Sequence, residues 1–150
     1  MSQVKRQPSP AHTGDAALLG ESLRDVVSRL VKTTREQSGT HSNARSETLA
    51  LLERAGPISI ATLAVSRSVT HQTMRLIVMK LVEQGLVTLT QDIADRRAYV
   101  VALSDMGRTH TMHERATRSQ WLTDQLLKKT SPEERAILEI AVRTLRKLLD

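Results

Sequence analysis

The chain has no cysteine and no phenylalanine, and its single tryptophan and tyrosine, Trp121 and Tyr99, bring aromatics to 1% of 150 residues. Without cysteine there is no disulfide framework, no thiolate zinc site and no thiol-based redox sensing. Without aromatics the core must be built from Leu, Val, Ile and Ala, which favours packed helices over a β-sandwich. No apolar run reaches the roughly 18 to 20 residues that a membrane span needs, and the N-terminus has no hydrophobic stretch of signal-peptide type. The chain is therefore read as cytoplasmic, with no membrane partner. Catalytic fingerprints are missing too: there is no G-x-S-x-G, H-E-x-x-H, P-loop or dinucleotide motif, so no enzymatic activity is expected. His110 and His113 stand at a spacing two metal ligands can use, but only Glu114 lies near as a third, and neither a metal nor a cofactor is expected.

Apolar residues make up 39% of the chain, enough for one compact domain of this length. A net charge of +6, from 22 basic and 16 acidic residues, suits a polyanionic partner, although a solvated surface accounts for it equally. Between Ser59 and Arg108 there are six basic and four acidic residues, an excess of two, so charge alone does not place a site.

In chain order, the first residues carry Pro8, Pro10, Ser, Gln and basic side chains without apolar period, and residues 1–15 read as a tail. From Ala16 to about Gln37, Leu19, Leu23, Val26, Val27, Leu30 and Val31 mark one face of a helix. Ser42 and Asn43 are cap candidates for a second helix closed by Gly56 and Pro57, and Ser59 caps a short third one through about Val65. Within Thr70 to Gln84, Met74, Ile77, Val78 and Leu81 recur at i, i+3, i+4 and i+7 and form a buried face. Gln72, Leu76 and Met79 face the other way, with Thr73 and Arg75 on the shoulders. After Gly85 the period moves towards 2, and Leu86–Thr90 and Tyr99–Leu103 read as the strands of a hairpin around the polar segment QDIADRRA. Ser104 caps a long helix to about Lys129 whose apolar pattern is thin. Ser131, Pro132 and the acids Glu133 and Glu134 open a last helix, with Ile137, Leu138, Ala141, Leu145 and Leu148 on one face.

The expected fold is mainly α with a small β-hairpin wing. Its order of elements resembles the MarR family of winged helix-turn-helix transcriptional regulators. The resemblance is carried by Leu63, Ala64, Val69, Thr70 and Thr73 in the helix-turn-helix, and by Leu81, Gly85, Leu86 and Val87 beyond it. A wing pattern D-x-x-D-R-R at Asp92, Asp95, Arg96 and Arg97 then runs into V-x-L-S-x-x-G at Val101, Leu103, Ser104 and Gly107. Two departures stand out. The turn Ser66, Arg67, Ser68 has no glycine, and Leu76 stands where many relatives carry an arginine. The resemblance implies a single domain over 16–150, with 16–41 and 104–150 mainly dimerisation helices and 42–103 the DNA-binding lobe. It implies a homodimer that represses by occupying an operator, with a cleft between lobe and dimerisation helices where relatives bind small, often aromatic or phenolic, effectors.

The physics of a DNA contact singles out particular side chains. Residues in the first half of a helix lying in the major groove come closest to base edges. Gln72 is expected to bond adenine N6 and N7, and Leu76 to pack on a thymine methyl, while His71, Thr73 and Arg75 reach bases or phosphates. Helix ends at Ser59 and Thr70 favour phosphate oxygens. Arg96 and Arg97 are expected to contact phosphate and the minor groove, supported by Asp92 and Asp95. Dimerisation is expected through Leu19, Leu23, Val26 and Leu30 with Leu138, Ala141, Leu145 and Leu148, placing half-sites about one helical turn apart. Plainer readings exist for each: a solvated helix face, an ordinary charged hairpin turn, and an intrachain helical bundle. The rival function is a winged-helix module that pairs with proteins and does not bind DNA.

Overall fold

The computed structural model describes residues 10–92 and 98–149. Among these residues six helices and three strands follow in the order α1 (Pro10–Gln37), α2 (Ala44–Ala55), β1 (Ile58–Ser59), α3 (Ile60–Ser66), α4 (His71–Glu83), β2 (Val87–Gln91), β3 (Tyr99–Leu103), α5 (Asp105–Lys129) and α6 (Pro132–Arg146). Five described helices open on side-chain caps that the local sequence dictates, α5 on Ser104, which accepts the Gly107 N–H. Asn43, Ser59, Thr70 and Ser131 each accept a backbone N–H three residues on, satisfying a donor that a helix start leaves free. At Ser131 the Glu134 carboxylate returns the bond to the cap N–H, completing a capping box.

Three features differ from the sequence reading. Helix α1 starts at Pro10, so residues 10–15 are helical where a tail was expected. The wing sheet has three strands in the order β1-β3-β2, not two, since Ile58 and Ser59 pair with Val101 and Val100. Strand β2 begins at Val87 rather than Leu86, because the Leu86 N–H is taken by the Leu81 carbonyl in closing α4. Across the β2/β3 hairpin, Val87 faces Leu103 and Gln91 faces Tyr99.

Among the described residues the buried apolar core runs from Leu49 to Leu103, drawing on α2, α3, α4 and the strands. Leu49, Leu63, Met74, Val78, Leu81 and Val101 are almost wholly buried there. No described residue of α1 or α6 reaches full burial. Helix α1 packs against α5, while α6 has no extensive packing against any other element among the described residues. Their apolar side chains are left open to solvent, including Leu19 at 68%, Val26 at 60% and Ile137 at 65%. No helix among the described residues is long and apolar enough to cross a membrane.

Two backbone joints set how the lobe is held. Ser68 closes the turn between α3 and α4 with φ at 52°, so a serine fills the left-handed position where glycine is common. At the far end of α4, Gly85 takes φ of 70°, and Ser104 bonds back across it, its Oγ donating to the Gly85 carbonyl at 2.5 Å and its N–H to the Leu86 carbonyl at 3.0 Å. The first turn of α5 is thereby fastened to the end of α4.

Candidate nucleic-acid interface

The outer surface of the helix-turn-helix is defined by what α4 buries. Met74, Val78 and Leu81 point into the core, so at 3.6 residues per turn Gln72, Leu76 and Met79 form the line most directly opposed to it. All three are exposed, with Leu76 at 62% and Met79 at 40%, and His71, Thr73, Arg75 and Lys80 are exposed beside them. Between Ser59 and Val82 the chain has no carboxylate, whereas Arg67, Arg75 and Lys80 supply cations. Charge counted over the longer stretch to Arg108 hides this asymmetry, because the acids there are Glu83 at the end of α4 and Asp92, Asp95 and Asp105 after it.

Caps order the two helix starts in the same way. The Thr70 hydroxyl accepts from the Thr73 N–H at 3.1 Å and lies 2.9 Å from the Thr73 hydroxyl; Ser59 makes the matching pair of contacts with Thr62. Thr73 is therefore engaged in the cap as well as exposed, while Gln72 and Arg75 have no such local tie among the described residues.

Arg67 has a different task from the other cations. It pairs with Glu47 of α2 across the lobe, and Glu47 also accepts from the Ser42 hydroxyl. The Ser42 hydrogen bond, with the Arg67 hydrogen bond and charge beside it, holds the Glu47 carboxyl below its ordinary value against a smaller opposing effect of burial. Arg67 Nε is buried without a hydrogen-bond partner among the described residues. This arginine buttresses the turn against α2, a role no local sequence signal announced.

In the wing, the Asp92 N–H donates to the Ala98 carbonyl at 3.0 Å, extending the strand pairing one step past Gln91 and Tyr99. Asp95, Arg96 and Arg97 lie outside the described residues. A groove of about 370 Å³ runs between α4 and the wing strands, lined by His71, Arg75 and Met79 on one side and Leu89 and Tyr99 on the other. Tyr99 is half exposed there. The sequence reading used it only as a strand residue, and its place at the first position of β3, paired with polar Gln91, was the available signal. A second cavity, of about 270 Å³, lies where α2, β3 and α5 meet, between Leu52, Pro57, Leu103, Arg108 and Met112. His110 lies 3.4 Å from Glu114, and no group of three or more His, Cys, Asp or Glu side chains converges among the described residues. The eight expected dimerisation residues fall on α1 and α6 and the turn that ends α6, where Leu23 and Leu145 are half-buried and the other six exposed.

A helix-turn-helix with an outward polar and apolar line, followed by antiparallel strands that lean on it, defines a winged helix-turn-helix. Residues 42–98 match the family described as the MarR family. The fold is shared along nearly the whole chain by solved structures. A candidate transcriptional regulator from Pseudomonas aeruginosa is 24% identical, with 95% of this chain and 99% of that chain covered at a TM-score of 0.76. Transcriptional regulator Tm0710 from Thermotoga maritima is 21% identical over 89% and 94%, with a TM-score of 0.74. A MarR family protein from Bacillus stearothermophilus is 20% identical over 95% and 99%, with a TM-score of 0.70. No curated protein matches the sequence significantly.

Proposed function

We propose that the chain is a sequence-specific, homodimeric transcriptional repressor of the cytoplasm that acts by occupying a pseudo-palindromic operator. The observation that carries this reading is the outward line Gln72, Leu76, Met79 on a helix-turn-helix surface that from Ser59 to Val82 has cations and no carboxylate, Glu83 closing the far end of α4. A protruding helix of this kind fits the major groove, and phosphates on either side reward the positive flank. In this reading Gln72 reads an adenine, and His71, Thr73 and Arg75 position the helix. The caps at Ser59 and Thr70 present N–H groups to phosphate, and Arg96 and Arg97, organised by Asp92 and Asp95, hold the neighbouring minor groove.

The dimer is proposed on the apolar sides of α1 and α6, which have no adequate partner among the described residues of their own chain. Leu19, Leu23, Val26 and Leu30 with Leu138, Ala141, Leu145 and Leu148 would bury an interface of obligate type. The division into dimerisation segments 16–41 and 104–150 and a reading lobe 42–103 follows the same distribution, since the core is confined to the lobe. The cavity between α2, β3 and α5 sits at the boundary of these parts and is large enough for a small effector that would change the lobe spacing.

The exposure of Leu76 and Met79 favours one second reading, an interaction module that pairs with protein and leaves DNA alone. A shift assay with DNA from upstream of the chain's own gene, at two salt concentrations, separates the two. The regulator binds that DNA more tightly than random DNA and weakens at high salt. Gln72→Ala is expected to cost about 1 to 3 kcal/mol at one base pair and to relax preference there. Equal weakening on specific and random DNA would reduce Gln72 to a positioning residue.

A further inference from the structure

We infer that Leu76 reads the C5 methyl of one thymine in each half-site, so that the DNA selected by this chain is methyl-dependent at that position. The inference rests on the regulator reading above and names the base chemistry the site prefers. Leu76 stands in the middle of the line facing away from the core, 62% exposed, with Gln72 one turn before it and Met79 one turn after. Two large apolar side chains in succession occupy the middle of this outward line, Leu76 within the first half of the helix. Such a residue offers no donor and no acceptor, whereas guanine recognition needs a fork of donors aimed at O6 and N7. Arg75 lies about 100° round the helix from Leu76, on the shoulder, and so does not supply that fork on the central line.

The major-groove edge of a base pair holds one apolar group, the thymine methyl. Over a G·C pair, Leu76 would strip water from polar edge atoms without replacing their hydrogen bonds, which is costly. Over thymine it buries a methyl against its own. Gln72 lies about 6 Å back along the axis at 1.5 Å per residue. That spans one to two base-pair steps of about 3.4 Å, so an adenine read by Gln72 and a thymine read by Leu76 are neighbours or next neighbours. The selected element is accordingly A·T-rich at its centre. The flanking charge picks nucleic acid over a protein surface: Arg75 and Lys80 flank the two apolar side chains, and no carboxylate intervenes before Glu83.

The test begins with duplexes selected from a random pool by the full-length parent. Each thymine of the selected duplex is then replaced singly by deoxyuridine, which deletes the methyl and nothing else. One position in each half-site is expected to weaken binding roughly fourfold, the value of burying one methyl-sized group. Leu76→Ala is expected to bind the thymine and uracil duplexes equally, with an unchanged melting temperature because the side chain is exposed. Uracil tolerated at every position by a parent that still prefers the selected duplex overturns the inference and leaves the regulator reading standing. Uracil sensitivity that survives in Leu76→Ala overturns it too, because another residue then holds the methyl. A parent that enriches no sequence removes the regulator reading, and this inference with it.

Discussion

Replacing Gly107 by alanine is expected to destabilise the chain although alanine is the better helix former. Propensity alone favours alanine in a helix by about 1 kcal/mol. Geometry opposes it: a Cβ on Gly107 would lie 1.9 Å from the Leu86 carbonyl oxygen and 2.9 Å from its carbon, far inside contact distance and against backbone rather than a yielding side chain. Helix α5 must then lift from the end of α4. Overpacking of this kind costs about 1 to 3 kcal/mol. The same movement strains the Ser104 N–H bond to the Leu86 carbonyl and the Ser104 Oγ bond to Gly85, each worth about 1 kcal/mol. The net is a destabilisation of about 2 to 3 kcal/mol, or roughly 5 to 10 °C in melting temperature for a chain of this size. Gly14→Ala is the control, because nothing lies within 4 Å of a Cβ built there, and it should hold or raise stability. Thermal unfolding of both variants at one fixed protein concentration reads the difference. A Gly107→Ala melting temperature equal to or above the parent's would show that the α4 to α5 joint is not set by this close approach.

Three further outcomes follow from the same structure. Glu47→Gln should melt below the parent at pH 7; because the folded-state pKa of Glu47 is depressed, its contribution is complete above about 4.5 and fades as pH falls, so the two melting curves should converge in acid. A gap independent of pH would mean that packing, not charge, is what the substitution removes. Leu145→Asp should split the dimer or unfold the chain, since a carboxylate without a partner in an apolar seam is strongly unfavourable; sedimentation of the parent as a stable monomer at micromolar concentration would refute the interface itself. Arg96→Ala with Arg97→Ala should leave melting nearly unchanged yet make the log-log salt dependence of DNA binding shallower by about 0.9 for each phosphate that the dimer no longer neutralises. Unchanged operator affinity at both salts would remove the wing from the DNA interface and favour the interaction-module reading.

What could be read from sequence was whatever is written locally. The caps at Asn43, Ser59, Thr70 and Ser131 act over three residues, and the outward turn of Gln72, Leu76 and Met79 follows from a single helical period. Features that depend on partners distant in the chain were not legible. Strand β1 is two residues long, too short to show alternation, and exists because Val100 and Val101 offer a free edge. Arg67 looks in sequence like another basic residue of a DNA-facing turn, and only the placement of α2 shows that Glu47 holds it. The same distinction bears on the candidate site. Removing Arg67 from the set of available cations leaves Arg75 and Lys80 flanking an apolar centre, so under the proposed function discrimination would fall to Gln72 and Leu76 while charge would supply attraction. On the proposed regulator reading, such a surface draws its preference from A·T pairs, which makes the thymine methyl the informative atom to delete.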